Sequence, residues 1–113
     1  GMPGSQHLRE HEGLLEALRQ VHKAGKWVAA ICAAPTVLFR AGLLENRNFT
    51  CFPGIESQIT VGNHLSDLVV EDDKIVTSRG AGTSLAFAYY LVDVLGGDAT
   101  ALSKAMVYDQ LFE

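Results

Sequence analysis

The segment VAAICAAPT at residues 28–36 constrains the fold of this chain more than any other feature. A continuous apolar run such as residues 28–31 is typical of a buried parallel strand. The two alanines after Cys32 permit a tight turn, and Pro35 suits the first turn of a helix because its missing N–H would be unpaired there. The sequence therefore predicts a strand, a sharp turn and a helix, with Cys32 at the apex.

Two interpretations of Cys32 follow from this local pattern. A nucleophile elbow has the same geometry and holds a reactive side chain near free backbone N–H groups. A helix N-terminus also favours a thiolate over a thiol. In the alternative interpretation, Cys32 is a buried cysteine that acts as a small hydrophobic residue. The residues from Ile31 to Pro35 leave both interpretations open.

The composition narrows the class of protein. The 113 residues fit one small domain, and the 48% hydrophobic and 19% charged content is ordinary for a globular chain. A net charge of -4 argues against nucleic acid or an anionic membrane surface as the main partner. We find no signal-peptide pattern and no apolar run long enough to span a bilayer, so we expect a cytoplasmic location.

The order of predicted elements indicates an α/β protein. Strands that alternate with helices favour a parallel sheet, and ligands bind at the carboxyl ends of its strands. The predicted elements are a loop at 1–5, an amphipathic helix at about 10–24, the strand and helix around Cys32, a short strand at 49–52, a hairpin at 68–78, a helix at 84–95 and a last helix through Val107 that Asp98 or Thr100 caps.

Other polar patterns are weaker candidates for a site. His7 and His11 have zinc-ligand spacing, but no glutamate follows His7 directly and a third ligand is not evident, so we expect surface histidines at a helix start. The acidic run at 71–73 is interpreted as a solvated hairpin turn. The glycines at 80–82 are only a weak indication of phosphate binding. Cys51 is expected to be a thiol of the core or of a pocket wall, not a disulfide partner of Cys32.

Two longer motifs resemble a known family. AICAAPT at 30–36 and TSRGAGT at 77–83, followed by Phe87 and Ala88, resemble the ThiJ/PfpI superfamily, in particular its branch of the parkinsonism-associated protein deglycase. Residues 1–8 also resemble the loop that follows the Pro-Gly-Gly turn in that family. The resemblance implies a flavodoxin-like parallel sheet between helices, and it implies that residues 1–113 are the C-terminal half of the domain.

The resemblance also implies that part of the site lies on an N-terminal half. That half would carry the glutamate that hydrogen-bonds the nucleophilic cysteine, and most of the Pro-Gly-Gly loop, of which Gly1 would be the last residue and a wall of the oxyanion pocket. Half of such a sheet leaves an unpaired edge and an uncovered apolar face. We therefore expect a partner, either the N-terminal half as a separate polypeptide or a second copy in a homodimer.

Residue roles follow from the same resemblance. Cys32 is expected to be the nucleophile or a redox-sensitive thiol, and the Ala33 N–H to bind a developing oxyanion. Ser78 and Arg79 would lie beside the pocket, with Arg79 available for an anion or a dimer contact. The sequence has Phe52 where the deglycase branch has a histidine, so His64 is the remaining histidine that we expect near the pocket.

The implied function is glyoxalase- or deglycase-like chemistry on small reactive carbonyl compounds such as methylglyoxal, with neither a cofactor nor a metal. The Cys32 thiolate would form a hemithioacetal, and the carboxylic acid of the N-terminal half would relay the proton. A redox-sensing or chaperone-like protein with an oxidisable Cys32 is the alternative. For this chain by itself, without the glutamate, we expect an inactive fragment.

Overall fold

The computed structural model describes residues 1–112 and shows a mixed α/β architecture. The elements are α1 (Gly4–Arg9), α2 (Glu12–Lys23), β1 (Val28–Ile31), α3 (Pro35–Arg40), β2 (Asn48–Phe49), β3 (Asn63–His64), β4 (Val69–Asp72), β5 (Ile75–Ser78), α4 (Ser84–Val94) and α5 (Ala99–Ala105). Short 3-10 turns cover Ile55–Gln58, Ala81–Thr83 and Asp109–Phe112. None of the helices in the described part of the chain is long and apolar enough to cross a membrane.

The main sheet has three strands in the order β1-β5-β4. β1 runs parallel to β5 with Ile31 opposite Ser78, and β5 runs antiparallel to β4. All four residues of the central strand β5 are buried. The carboxyl ends of β1 and β5 therefore lie side by side, so the turn after β1 and the turn after β5 meet at one edge.

The chain between α3 and β4 departs from the prediction. The strand predicted at 49–52 ends at Phe49. The Thr50 N–H donates to the Thr77 side chain (Oγ1) and not to a neighbouring strand's backbone. β2 instead pairs in parallel with β3, placing Phe49 opposite His64. The sequence indicated no element where β3 forms.

The N-terminal segment is helical where a loop was predicted. α1 includes Gly4, and it is separated from α2 by a turn at His11. His11 is exposed, as expected of a surface histidine at a helix start, and its Nδ1 accepts the Leu14 N–H and so caps α2. Leu15 is buried, while Leu14 and Leu18 pack partly buried against the core.

The hairpin and the later helices follow the sequence. Asp73 and Lys74 both have positive φ, as a two-residue hairpin turn requires. The acidic turn is not simply solvated, however. Asp73 Oδ2 accepts from Arg47 at 2.7 Å, and Asp72 accepts the Asn48 N–H at 2.8 Å. Asp98 caps α5 by accepting the Ala101 N–H, as predicted.

Part of the apolar surface has no cover within the described chain. β1 is an edge strand, and no strand among residues 1–112 pairs with its other side. Leu8, Leu14 and Leu18 line a shallow apolar cavity against this strand. α4 is apolar nearly all round, yet Leu85 and, just beyond the helix, Leu95 are exposed. A helix that is apolar on all sides is normally buried.

Candidate functional site

Cys32 lies at the apex of a sharp turn between β1 and α3. Its φ is 67°, in the left-handed region that side chains disfavour. The Ala34 N–H closes the turn on the Ile31 carbonyl at 3.1 Å, and α3 begins at Pro35. This confirms the predicted strand, turn and helix with the cysteine at its apex. Left-handed backbone costs a residue with a side chain about 1–2 kcal/mol.

The strain at Cys32 gives a test that does not depend on activity. Glycine adopts this backbone conformation without a steric cost, so Cys32→Gly should be more stable to urea than Cys32→Ala by about 1 kcal/mol. In most positions alanine is the more stable of the two. If Cys32→Ala is equally or more stable, the turn carries no left-handed strain.

Hydrogen bonds fix the backbone of Cys32 while its side chain is partly exposed. Its N–H donates to the Ser78 carbonyl at 3.0 Å, and its carbonyl accepts the Phe52 N–H at 2.9 Å. In the part of the chain that the structure describes, the Ala33 N–H makes no backbone hydrogen bond. The elbow thus combines an accessible thiol with a neighbouring amide that has a free donor, as an oxyanion site needs.

Ser78 contacts the elbow through its main chain. Its side chain is fully buried, with Oγ hydrogen-bonded to the Leu68 carbonyl and to Thr83 Oγ1. Thr83 Oγ1 also accepts the N–H groups of Arg79 and Gly80. The amides of Arg79 and Gly80 are therefore satisfied within the turn and are not free to bind a phosphate.

Arg79 and Gly1, which were also predicted for the site, lie in different parts of the structure. Arg79 is half-buried and donates from Nε to the Cys51 carbonyl at 3.1 Å, so it holds the loop after β2. Gly1 is exposed, and its carbonyl accepts the Ser5 N–H at the start of α1. Among the described residues, no hydrogen bond links Gly1 to the elbow.

His64 belongs to a cluster next to the elbow. A ring nitrogen of His64, the Cys51 sulfur and a Glu56 carboxylate oxygen all lie within 4.8 Å of one another. Cys51 is 0% exposed, which confirms the predicted core thiol. Glu56 was not among the residues predicted for the site. The one available signal is a cysteine, a glutamate and a histidine at irregular spacing, and only the β2–β3 pairing brings them together.

The charges within this cluster are set by burial and by backbone donors. Burial, with the nearby Glu56 carboxylate as a smaller cause, raises the pKa of Cys51 to about 11. The N–H groups of Glu56 and Gly54 hydrogen-bond the Glu56 carboxylate and hold its pKa below the ordinary value. At neutral pH the cluster therefore contains a neutral thiol and an ionised carboxylate.

The fold and the elbow together define a flavodoxin-like α/β protein with a cysteine at the end of a sheet strand. The sequence profile of the DJ-1/PfpI family matches residues 1–94, and the chain belongs to that family. Structural comparison agrees. DJ-1beta of Drosophila melanogaster superposes with a TM-score of 0.89 at 32% identity, over 95% of this chain and 60% of that one. The predicted family and its flavodoxin-like fold are confirmed.

Curated relatives show how much of the family's length this chain covers. It is 38% identical over 99 residues to the glutathione-independent glyoxalase DJR-1.2 of Caenorhabditis elegans, which covers 86% of this chain and 53% of the relative. It is 34% identical over 109 residues to the Parkinson disease protein 7 homolog of Danio rerio, covering 93% of this chain and 58% of the relative. The chain thus spans about half the length of these two relatives.

Proposed function

We propose that this chain supplies the cysteine elbow of a glyoxalase- or deglycase-like protein that acts on small reactive carbonyl compounds such as methylglyoxal. The observation that carries the proposal is the partly exposed Cys32 at φ 67°, beside the Ala33 N–H that makes no backbone hydrogen bond. The C. elegans relative is named a glyoxalase, which supports the same chemistry.

The elbow geometry suggests how the reaction would start. The Cys32 thiolate attacks the aldehyde carbon, a C–S bond forms, and the carbonyl electron pair moves onto oxygen, where the Ala33 N–H stabilises it. A base then removes the proton from that carbon, which gives an enediolate. Protonation of the former ketone oxygen and of the neighbouring carbon follows, while the first oxygen re-forms a carbonyl. Water hydrolyses the resulting thioester, releasing lactate and regenerating Cys32. No cofactor is required.

The proton relay requires a carboxyl group in addition to Cys32. Glu56 is held ionised by backbone donors in the Cys51 cluster, so it is a poor candidate for a carboxylic acid. We propose that the acid comes from polypeptide that covers the free edge of β1 and the exposed face of α4. The covering partner would be either the other half of the family fold or a second copy of this chain. Arg79 would then bind an anionic group at the pocket or support the contact.

The test measures lactate formed from methylglyoxal by the purified assembly, whose composition is first determined by native mass spectrometry. Several lactate molecules per Cys32 are expected, and Cys32→Ser should abolish their formation because an alkoxide is not available at neutral pH. Counting lactate rather than methylglyoxal loss excludes simple modification of arginines. Lactate formation that persists in Cys32→Ser would overturn the proposal.

The contrast in exposure between the two cysteines favours redox sensing as a second candidate. Cys32 is partly exposed while Cys51 is buried, so peroxide should oxidise Cys32 first, to sulfenic and then sulfinic acid, with the peroxide reduced to water. This role in oxidative stress would suit a reducing cytoplasm. Selective sulfinate at Cys32 in a protein that forms no lactate would support it. Equal oxidation of Cys51 would contradict it.

A further inference from the structure

The cluster beside the elbow offers three different metal-binding atoms. Cys51 presents a thiol sulfur, Glu56 a carboxylate oxygen and His64 a ring nitrogen, all within 4.8 Å of one another. We propose that these three residues form a binding site for one zinc ion, with a fourth position open to water. The proposal is independent of carbonyl chemistry at Cys32, and its test does not require turnover.

The donor set selects zinc among common cations. Zinc binds cysteine, histidine and carboxylate ligands together, whereas calcium and magnesium prefer oxygen ligands alone. With Zn–S near 2.3 Å and Zn–N or Zn–O near 2.0–2.2 Å, tetrahedral ligands lie about 3.3–3.7 Å apart. Cys51 Sγ and Glu56 Oε2 are 3.9 Å apart. Small movements of the Glu56 and His64 side chains, which are partly exposed, therefore complete the site.

An unpaired nitrogen supports the same conclusion. His64 Nε2 is buried, and it has no hydrogen-bond partner in the described part of the chain. Burying a polar atom without a hydrogen-bond partner costs free energy, and such atoms are rare in native proteins. Coordination of a metal ion through Nε2 would remove that cost.

Neighbouring groups already hold the ligands in place. The Gly54 N–H donates to Glu56 Oε2 at 2.7 Å, and the Phe49 ring packs 5.7 Å from the His64 ring between centroids. Outer groups of this kind orient ligands in known metal sites. On binding, Cys51 releases its thiol proton to water as the S–Zn bond forms. The thiolate and the Glu56 carboxylate then balance the two charges of the ion.

The position of the cluster indicates what the ion would do. Cys51 precedes Phe52, whose N–H holds the Cys32 carbonyl at 2.9 Å. A bound ion would tie the loop at 51–56 to β3 and so stabilise the loop that supports the elbow. Because the site forms only in the folded chain, zinc should raise the melting temperature.

The experiment titrates the purified assembly, whose composition native mass spectrometry determines, with Zn²⁺ and with Co²⁺, a spectroscopic substitute for zinc. We expect one ion per chain and a thiolate-to-cobalt absorption band in the near ultraviolet. Cys51→Ser should remove that band. Glu56→Gln and His64→Gln should weaken binding by more than about tenfold.

Matched controls separate this site from other thiols and histidines. Cys32→Ser and His7→Gln should keep both the band and the affinity. Loss of the band in Cys32→Ser, or unchanged affinity in Glu56→Gln and His64→Gln, would overturn the proposal. Should Cys51→Ser fail to fold, Glu56→Gln still decides, because its amide oxygen can accept the Gly54 N–H. Absence of any stoichiometric binding would overturn it too.

Discussion

Replacing Gly62 with alanine is expected to lower the free energy of unfolding by about 2–5 kcal/mol. Gly62 has a φ of 78°, and a Cβ at this position would lie 2.6 Å from the Leu44 carbonyl oxygen and 2.8 Å from that of Arg47. Left-handed backbone and overpacking against main-chain atoms each contribute about half of the cost, since neither carbonyl can rotate away as a side chain would. Urea denaturation of the purified chain measures the change.

Gly42 provides a matched control for this prediction. It has a φ of 79°, yet a Cβ there would meet no atom within 4 Å. Gly42→Ala should therefore lose only about 1–2 kcal/mol, the cost of the left-handed backbone. Equal losses in the two variants would mean that the close approach at Gly62 contributes nothing to stability.

The close approach at Gly62 also positions the proposed zinc ligand. The Asn63 N–H donates to the Arg47 carbonyl at 2.9 Å, which is one of the two oxygens that the new Cβ would crowd. His64 follows directly in β3. A side chain at residue 62 would therefore displace the histidine as well as destabilise the chain, so stability and the cluster depend on one contact.

Local signals made the elbow predictable. An apolar run, two alanines and a proline define the strand, the turn and the helix start around Cys32 with no distant contact needed. The hairpin between β4 and β5 was predictable for the same reason, because Asp73 and Lys74 interrupt two β-branched runs. In both cases the residues that determine the structure are adjacent in sequence.

The cluster at Cys51 could not be predicted because it depends on tertiary pairing. β2 and β3 have two residues each, too few to show any periodicity, and they are brought into register across a loop. The Thr50 N–H that ends β2 finds its partner on Thr77, in a strand far along the chain. Glu56 lies near Cys51 and His64 only after these contacts form.

α1 was not predicted from the sequence, for a different reason. Its sequence begins with Gly4 directly after a proline, which is typical of a loop, and it has only six residues. Contact with α3 supplies its stability instead of local propensity. Six residues are fewer than two helical turns, so the apolar spacing that indicates a helix cannot be recognised in them.

Replacing Phe49 with alanine should destabilise the chain by about 3–5 kcal/mol. Phe49 is 1% exposed, one of the largest fully buried side chains, and it belongs to the hydrophobic core cluster. Removing the ring leaves a cavity, because the surrounding structure relaxes only partially. Since small domains have about 5–15 kcal/mol of stability in total, this single change takes a large share of it.

A control substitution at Phe52 shows whether the loss of unfolding free energy in Phe49→Ala comes from burial or from removing an aromatic ring. It is three residues away and 49% exposed, so Phe52→Ala should change the unfolding free energy by no more than about 0.5 kcal/mol. Phe49→Leu should lose less than Phe49→Ala, because leucine fills part of the cavity. If Phe49→Ala and Phe52→Ala unfold at the same urea concentration, the region around β2 is not part of the cooperative core, and the proposed zinc site would have no rigid support there.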